Sequence, residues 1–426
     1  MNRRIAITGL GAVAPGGTGV KNYWELLANG RTATRPISAF DASGFRSRIA
    51  AECDFDPALE GLRPQEARRM DRAAQFAVVA AREALADSGV ELDRVDPTRI
   101  AVSFGSAVGC TTSMENEYRV LSDGGEHWLV DPRYAVAHLY EHFVPSSIAA
   151  EVALAAGALG QVTLVSDGCT SGLDAVGLAM DLIREGSADL VVTGGTDAPI
   201  SPITLACFDA IKATTPRNDE PESASRPFDV TRNGLVLGEG AGALVLEEYG
   251  SAIRRGARIY AELVGFAAHC NAYHMTGLRA DGLEMAEAIR AALDEARLPA
   301  EAIDYVNAHG SSTKQNDRHE TAAFKRSLGT HAYRVPVSSI KSMIGHSLGA
   351  IGALELVACA LAIDTSLIPP TANLHRPDPD LDLDYVPLHA RQAKVGSVLS
   401  VGSGFGGFQS AVVLTAPTAP STSGRR

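Results

Sequence analysis

Continuous apolar runs alternate with longer Ala- and Leu-rich stretches along most of this sequence. The N-terminal part reads RIAITGL, then AAQFAVVAAREALADSG, then RIAVSFGSA. Short runs that are apolar throughout are typical of strands buried on both faces, and the longer stretches between them have helical composition. One helix is predicted from about Arg72 to Ser88, because Gly89 follows as a left-handed stop. The pattern therefore predicts an α/β protein.

Two pairs of segments resemble each other and occur in the same order along the chain. They are CTSGLDAVGLA (169–179) with HSLGAIGALEL (346–356), and RIAVSFGSA (99–107) with AIDYVNAHGSS (302–312). The first pair matches Gly172 to Gly349. Two matches in one order indicate an internal duplication.

The duplication predicts two similar α/β halves, residues 1–252 and 253–415, that meet about a pseudo-twofold axis. This symmetry would place Cys169 and His346 at equivalent helix N-termini. The stretch 215–229 and the tail 416–426 are rich in proline, serine and charge, and both are predicted to be disordered.

The composition narrows the possible classes of protein. Among 426 residues, 46% are hydrophobic and 21% charged, and the formal net charge is −12 with a pI near 5.4. Nucleic-acid-binding and polybasic membrane proteins usually carry the opposite charge, so neither nucleic acid nor a membrane is expected as a partner. The six cysteines form no CxxC pair, which argues against a disulfide framework and a cysteine-built zinc site. The N-terminus is no signal peptide and no run of eighteen apolar residues occurs, so a cytoplasmic location is expected.

Cys169 lies in VSDGCTSGLD, between an apolar run and the glycine-marked start of a helix. Buried free cysteines are often small, inert apolar residues. A helix N-terminus, however, carries partial positive charge and lowers the pKa of a thiol, which favours the nucleophilic thiolate. Taken alone, this stretch leaves open whether Cys169 is a nucleophile or a packing residue.

Two histidines lie in glycine-flanked turns, His309 in NAHGSST and His346 in KSMIGHSLG. Two such histidines in one half, with a cysteine at an equivalent position in the matching half, indicate a functional cluster more strongly than one would. Lys341 lies in the same loop as His346. Glu355 is a carboxylate in an otherwise apolar helix, and it needs a partner, for which the lysine and the histidines are candidates.

Several short patterns imitate known motifs but lack their context. GHSLG would make Ser347 the nucleophile of a hydrolase or acyltransferase, although no strand runs directly into its first glycine. Ser338 and Lys341 fit S-x-x-K without companion motifs, and HLYEH (138–142) fits a zinc pattern without a third ligand, so no metal is predicted. GSGFGG and GLGAVA fit dinucleotide-binding patterns, but neither leads into a helix.

Four motifs resemble those of β-ketoacyl synthases, the condensing enzymes of the thiolase superfamily. They are SDGCTSGL, NAHGSSTKQND, SSIKSMIGHSLGA and VGSGFGGFQS. The resemblance extends from RIAITGLGAVAPGG to about Leu414. The segments CTSGLD, RPFDVTRNG, NAYHMTGL, QNDRHETAAFKR and LDLDYVPL most resemble the ketosynthase α subunit of bacterial type II aromatic polyketide synthases. Cys169 separates this chain from the related chain length factor (the β subunit), which typically has glutamine there.

The resemblance implies a duplicated thiolase-like fold, with a five-layered αβαβα core, and an acyltransferase that forms carbon–carbon bonds. The implied reaction is the decarboxylative Claisen condensation of malonyl-acyl carrier protein with an acyl or polyketide chain held on Cys169. His309 and His346 would form an oxyanion hole for the enolate, with their separate roles left open. Backbone N–H groups of Cys169 and Phe405 would form a second hole. No cofactor is implied, because phosphopantetheine of the carrier protein brings the substrates.

Other residues take supporting roles by the same resemblance. Lys341 would orient or charge-balance the histidines, and Glu355 would anchor that network. Asp317 would support the loop of the first histidine, or it simply caps a helix. Phe405, in the glycine-rich turn, resembles a gatekeeper beside the cysteine.

Contacts with the acyl carrier protein are also implied. Ser311, where many relatives have threonine, and Thr313 would supply hydroxyls along the pantetheine path. Carrier proteins are acidic, and Arg68, Arg69 and Arg72 would offer them a basic docking patch, unless these arginines are only a solvated face.

The resemblance implies a heterodimer with a chain length factor, in the polyketide pathways that yield antibiotics. The alternative is a fatty-acid elongation ketosynthase acting as a homodimer. Starter unit, chain length, cyclisation and product depend on the cavity and partners, and the sequence does not specify them.

Overall fold

The computed structural model describes residues 3–127 and 130–418. In the N-terminal half the strands are β1 (Ile5–Ala14), β2 (Gly17–Thr18), β3 (Arg35–Pro36), β4 (Ile49–Ala51), β5 (Ile100–Gly105), β6 (Val162–Val165), β7 (Leu190–Asp197), β8 (Leu237–Gly238) and β9 (Gly240–Glu248). The helices of this half are α1 (Val20–Ala28), α2 (Pro64–Arg69), α3 (Arg72–Ser88), α4 (Thr111–Leu121), α5 (Leu139–Phe143), α6 (Ser147–Ala156), α7 (Ser171–Arg184), α8 (Pro202–Ala210) and α9 (Tyr249–Arg254).

The C-terminal half has the same kinds of elements. Its strands are β10 (Ala261–Cys270), β11 (Tyr305–Asn307), β12 (Val337–Ser338), β13 (Leu367–Ile368), β14 (Arg391–Gln392), β15 (Ser397–Gly404) and β16 (Phe408–Thr415). Its helices are α10 (Leu283–Ala296), α11 (Lys314–Leu328), α12 (Lys341–Ile344) and α13 (Ile351–Thr365). The division predicted after residue 252 falls inside α9, which links β9 to β10, and it stays a prediction.

The strand order repeats between the halves. In the first half it is β6-β5-β7-β9-β1, and in the second β12-β11-β15-β16-β10. From the inner strand outwards, each half has two antiparallel pairs followed by two parallel pairs. The inner strands β1 and β10 pair antiparallel, so the two sheets join at the pseudo-twofold axis. The predicted duplication is confirmed.

Helices form layers outside and between the two sheets. Helices α3 and α6 cover the outer face of the first sheet, and α10 and α11 cover the second. Helices α7 and α13 pack against each other and against strands of both sheets, which makes them the middle layer. This arrangement is the five-layered αβαβα core of the expected fold. The active-site turns lie at the N-termini of the two middle helices.

The register predicted for the duplication is wrong by three residues. Each middle helix begins after a short 3₁₀ turn, at Gly168–Thr170 before α7 and at Leu348–Ala350 before α13. Gly172 therefore matches Gly352 rather than Gly349. A Cβ added at Gly172 would lie 2.9 Å from Ala353 N, and one at Gly352 would lie 3.0 Å from Leu173 N, so the contacts are reciprocal. Small residues recur about once per helical turn, which allows the pattern to match itself with a three-residue shift.

The helix predicted from Arg72 to Ser88 is confirmed. Asp71 caps its N-terminus by accepting a hydrogen bond from the backbone N–H of Ala73, and Gly89 ends it with φ 62°.

The stretch 215–229 is irregular in backbone, but the prediction that it is disordered is wrong. Phe228 is fully buried and stacks on Tyr385 with a ring separation of 3.9 Å. In the tail, Ala416 and Thr418 also pack on the fold, since Thr418 accepts a hydrogen bond of 2.7 Å from Tyr249. The remainder of the predicted disordered tail, from position 419, lies outside the described residues.

Among the described residues, one helical segment, Leu348–Thr365, is long and apolar enough to cross a membrane. In the fold, 89% of that segment is buried. It is the middle-layer helix α13 with its preceding turn, and its apolar character reflects burial on all sides.

Candidate active site

Four side chains predicted to act together are brought to one end of the middle layer. Cys169 lies in the turn before α7, and His346 lies just before the turn that leads into α13. His309 follows β11, and Lys341 begins α12. Their exposed fractions are 8% for Cys169, 3% for each histidine and 1% for Lys341. Burial removes these groups from bulk water, which strengthens electrostatic effects among them.

Cys169, His309 and His346 line one cavity with a volume of about 510 Å³. Apolar walls come from five side chains: Phe208, Leu235, Met275, Leu278 and Phe405. Polar side chains that also line the cavity include Ser311, Thr313, Gln315 and Asn316. A mostly apolar cavity with a few convergent polar groups is typical of a substrate site.

The two histidines lie next to each other with rings 5.2 Å apart and nearly perpendicular, at 82°. Burial, together with the positive charge of Lys341, holds the pKa of both imidazoles well below the usual value. Both rings are therefore neutral near pH 7. The backbone N–H of Leu348 donates to His346 Nδ1 at 3.2 Å, which leaves the proton of this neutral ring on Nε2. His346 is thus arranged to donate a hydrogen bond from Nε2.

Lys341 and Glu355 form a buried ion pair behind the histidines. Lys341 Nζ donates to Glu355 Oε1 at 2.5 Å, and both side chains are at most 1% exposed. This confirms that Glu355 has the nearby lysine as its partner. Burial raises the pKa of the Glu355 carboxyl to about 7, against the lowering effect of Lys341.

The prediction that the Cys169 thiol has a lowered pKa is wrong in this structure. Burial raises the pKa of Cys169 to about 12, although the charge of Lys341 and a hydrogen bond from the Phe405 backbone N–H act in the opposite direction. A helix N-terminus favours a thiolate, but loss of hydration disfavours any charge, and here the second effect is larger.

Phe405 lies in the turn between β15 and β16, beside the nucleophile. Its backbone N–H is directed at Cys169, and a Cβ added at Gly404 would lie 3.2 Å from Cys169 N. The two backbone N–H groups named for an oxyanion hole are therefore neighbours. The Phe405 ring is 37% exposed, lines the cavity and stacks on Phe208 at 6.1 Å.

Asp317 is a buried ion-pair residue, so the alternative of a simple helix cap is wrong. Thr313 caps α11 by accepting from Asn316 N, whereas Asp317 lies 3.0 Å from Arg232 Nε with both side chains 0% exposed. Asp317 also accepts a hydrogen bond of 3.0 Å from Phe228 N. Ser311 and Thr313 lie on the cavity wall with their hydroxyl oxygens 3.0 Å apart.

Of the three arginines predicted to dock a carrier protein, two are committed to other contacts. Arg69 donates to both carboxylate oxygens of Glu151, at 2.8 and 2.6 Å. Arg72 donates to both oxygens of Glu239, at 3.0 and 2.6 Å, and lies over the Phe76 ring. Arg68 is exposed and forms no ion pair with any described residue. Arg69 and Arg72 are thus held by carboxylates and remain partly exposed, and docking of a carrier protein on the three arginines stays a prediction.

The structure shows where the patterns that resemble hydrolase, zinc and dinucleotide-binding motifs lie. Ser347 is fully buried, and its hydroxyl makes no hydrogen bond with any described residue. His142 Nε2 lies 3.2 Å from Arg69 O, and no cluster of metal-ligating side chains occurs in the part of the chain that the structure describes. GSGFGG ends β15 and continues through a turn into β16, and GLGAVA lies inside β1, so neither precedes a helix.

Two buried carboxylates near the site were not found from the sequence. Glu320 accepts the backbone N–H of Gly310 with both oxygens, at 2.9 and 3.0 Å, directly after His309. Asp197 ends β7 and accepts the backbone N–H of Gly349 at 2.6 Å. A signal was present in the sequence for Asp197, because this acidic residue lies in the otherwise uncharged stretch TGGTDA. The same kind of signal, a carboxylate in an apolar element, identified Glu355.

Models of two protein domains match most of the chain. The β-ketoacyl synthase N-terminal domain matches residues 2–252, and the β-ketoacyl synthase C-terminal domain matches residues 260–375. The chain is a β-ketoacyl synthase. Enzymes of this family transfer an acyl group while forming a carbon–carbon bond.

Two curated relatives place this ketosynthase within the family. It is 65% identical to the tetracenomycin polyketide synthase ketoacyl synthase alpha subunit of Streptomyces glaucescens, over 97% of each chain. It is 42% identical to the 3-oxoacyl-[acyl-carrier-protein] synthase 2 of Synechocystis sp., over 95% of this chain and 96% of the other.

Two solved structures share its fold. One is the structure of a type II PKS acyl-carrier protein in complex with its ketosynthase bound to the hexaketide. The chain described here matches one chain of that structure with a TM-score of 0.92 and 38% identity, over 98% of this chain and 100% of the other. The other is the ishigamide ketosynthase/chain length factor, with a TM-score of 0.90 at 36% identity over the same shares.

Proposed function

We propose that this β-ketoacyl synthase is the ketosynthase α subunit of a type II aromatic polyketide synthase. It would condense malonyl-acyl carrier protein, with loss of CO₂, onto an acyl or polyketide chain held on Cys169. The observation that carries the proposal is the placement of Cys169 and two neutral imidazoles in one apolar cavity. Similarity to the tetracenomycin α subunit supports the polyketide assignment over fatty-acid elongation, because 65% identity exceeds 42%.

In the first half-reaction, Cys169 takes the acyl chain from the carrier protein as a thioester. The sulfur attacks the acyl carbonyl, and the backbone N–H groups of Cys169 and Phe405 stabilise the oxyanion of the tetrahedral intermediate. Because burial raises the pKa of the thiol, its proton leaves as the attack proceeds rather than beforehand. The pantetheine thiol departs with that proton.

In the second half-reaction, malonyl-carrier protein binds with its thioester carbonyl between the two histidines. Loss of CO₂ leaves a pair of electrons that moves into the carbonyl, and the Nε2–H of His346, with His309, stabilises the enolate oxygen. Neutral imidazoles suit this role because they donate hydrogen bonds without paying to bury a charge. The enolate carbon then attacks the Cys169 thioester, which forms the new bond and releases the thiolate.

Lys341 and Glu355 act through the histidines. Burial and the charge of Lys341 together keep both rings neutral, and Glu355 compensates the lysine charge in the interior. Asp317 and Arg232 brace the start of α11, beside the loop that carries His309. No cofactor takes part in the proposed reaction, since phosphopantetheine carries both substrates. We also propose a cytoplasmic location.

A chain length factor is the proposed dimer partner. Strand β6 ends the sheet on one side, and an apolar groove with several exposed side chains lies on the same half of the molecule. Exposed side chains that line this groove include Tyr118, Phe143 and Ile203. Unpaired strand edges and exposed apolar surfaces both favour stable protein contacts. Val108 lines the groove and also packs on the cluster containing Cys169, so a growing chain could extend from the cysteine toward the partner.

The carrier protein would bind on the side where the cavity opens. Lys212 and Lys314 line the outer pocket next to Thr313 and Phe405. These two lysines, with Arg68, would attract an acidic carrier protein despite the negative net charge of the chain.

Product analysis tests the proposal. Malonyl-carrier protein would be supplied to the chain purified with a chain length factor, to the chain alone, and to a Cys169→Ala complex. The proposal predicts polyketides from the complex and none from the other two. Elongation of acyl-carrier protein by the chain alone would favour the fatty-acid alternative instead.

A further inference from the structure

Asp197 is a buried carboxylate at the end of β7 with an unusual number of hydrogen-bond donors. Its side chain is 0% exposed. Oδ1 accepts from Ser106 Oγ at 2.7 Å and from Val108 N at 3.1 Å, and Oδ2 accepts from Ala107 N at 2.9 Å and from Gly349 N at 2.6 Å. Burial raises the pKa of the Asp197 carboxyl to about 6, although these hydrogen bonds act in the opposite direction, so the carboxylate is charged at pH 8.

These bonds join two turns that both border the site. The turn at 106–109 follows β5 and contributes Val108 to the cluster around Cys169. The other turn, Leu348–Ala350, follows His346, and its Gly349 has no room for a side chain, since a Cβ there would lie 2.5 Å from Ala107 N. The carboxylate therefore fixes one turn against the other.

The turn that Asp197 holds contains a strained residue. Leu348 has φ 49°, in the left-handed region that is unfavourable for a residue with a side chain. This conformation lets Leu348 N–H donate to His346 Nδ1, and the next N–H, of Gly349, donates to Asp197. The carboxylate thus stabilises the conformation in which the Nδ1 of His346 is occupied.

The backbone of His346 is fixed independently. Its N–H donates to Val236 O at 2.8 Å, and its carbonyl accepts from Gly238 N at 2.9 Å. What the bonds of Asp197 add is therefore the position of the Leu348 N–H, which sets the tautomer and orientation of the imidazole ring.

We propose that Asp197 is a positioning residue that holds the Leu348–Gly349 turn so that His346 presents its Nε2–H to the substrate carbonyl. The inference rests on the function proposed above, because it assumes that His346 donates to the malonyl carbonyl. The same charge has a second effect at the nucleophile. Asp197 raises the pKa of the Cys169 thiol, which Lys341 lowers and Glu355 raises. Asp197 thus orients the His346 ring while its charge disfavours the thiolate form of Cys169.

Loss of the Asp197 charge should therefore slow condensation but speed alkylation of Cys169, whereas a general loss of stability would not produce this combination. Asp197→Asn keeps the size of the side chain, removes its charge and turns one acceptor oxygen into a donor. We expect condensation, measured as kcat with malonyl-carrier protein and the chain length factor, to fall about tenfold or more, with KM changed little. We expect alkylation of Cys169 by iodoacetamide at pH 8 to rise about threefold for each unit by which its pKa falls, because thiolate abundance grows faster than its reactivity declines.

Two further variants control for folding. Asp229→Asn alters another buried carboxylate that accepts backbone N–H groups. Even if this variant is less stable, the alkylation rate of Cys169 in the folded protein should not change. Ser106→Ala removes one donor to Asp197 but keeps the charge, so it should lower kcat mildly without faster alkylation. If too little Asp197→Asn protein folds to be assayed, the kcat and the alkylation rate of Ser106→Ala still test the positioning role.

Alkylation that stays constant or slows in Asp197→Asn, while condensation falls only with the folded fraction in urea denaturation, would overturn the inference. A wild-type chain that is not acylated on Cys169 by acyl-carrier protein would instead contradict the proposed function. The two failures are thus distinguishable in one set of samples.

Discussion

A pH series of Cys169 alkylation tests how burial acts on the thiol. Burial raises its pKa to about 12, so at pH 8 about 1 thiol in 10⁴ is ionised and at pH 9 about 1 in 10³. The alkylation rate should therefore rise about tenfold per pH unit from pH 7 to pH 10 and reach no plateau in that range.

Lys341→Met tests how the charge of Lys341 acts on the same thiol. Lys341 lowers the pKa of Cys169, so removing its charge should raise that pKa and slow alkylation further at every pH. Lys341→Arg keeps the charge and is the matched control, with a rate close to wild type. Both variants border the buried Glu355, and folding is checked by urea denaturation before rates are compared.

Iodoacetamide labelling followed by peptide mass spectrometry measures each cysteine separately. The exposed Cys207 and Cys270 report reagent activity in the same sample. A plateau of the Cys169 alkylation rate below pH 9 would contradict the raised pKa, because it would mean that the helix N-terminus outweighs burial. A Lys341→Met rate equal to wild type would refute the electrostatic role of the lysine.

Three further outcomes follow from the geometry. His346→Ala should lower the condensation rate about 10²–10³-fold while acylation of Cys169 in a single turnover persists, and loss of both would show that the histidine acts earlier. Arg232→Ala leaves two buried carboxylates without their cation and should lower the free energy of unfolding by about 3–5 kcal/mol in urea, whereas a change below about 1 kcal/mol would contradict a structural pair. Arg68→Ala should weaken carrier-protein binding, measured by calorimetry, without changing stability. Arg72→Ala should lower stability, because it breaks the ion pair with Glu239, and should change binding little; equal effects of the two variants on binding would show that Arg72 docks the carrier protein as well.

Much of the fold could be predicted because the pattern of apolar positions reflects it directly. Fully buried strands such as β1 are apolar along their length, and the helix at 72–88 has both its cap and its glycine stop in the sequence. The duplication was visible because both middle helices need small residues where they touch. The same recurrence of small residues caused the register error, since it does not specify which turn of one helix matches which turn of the other.

The site residues could be predicted as a set, but their energetics could not. Cys169, His309 and His346 stand out by residue type next to glycines, whereas the pKa of the thiol depends on how completely distant segments cover it. The polar stretch at 215–229 was misjudged because one aromatic residue, Phe228, anchors it to Tyr385. Asp197 was missed because its function depends on a contact with Gly349, 152 positions away in sequence.

Cys169 carries the acyl chain in the proposed reaction, and intact-mass measurement tests this role. The chain and Cys169→Ala, each purified with the partner, would be incubated with acyl- or malonyl-carrier protein. We expect an acyl adduct on the wild-type chain and none on the variant. An adduct that persists in Cys169→Ala would show that another residue is the nucleophile, with Ser347 the first to examine.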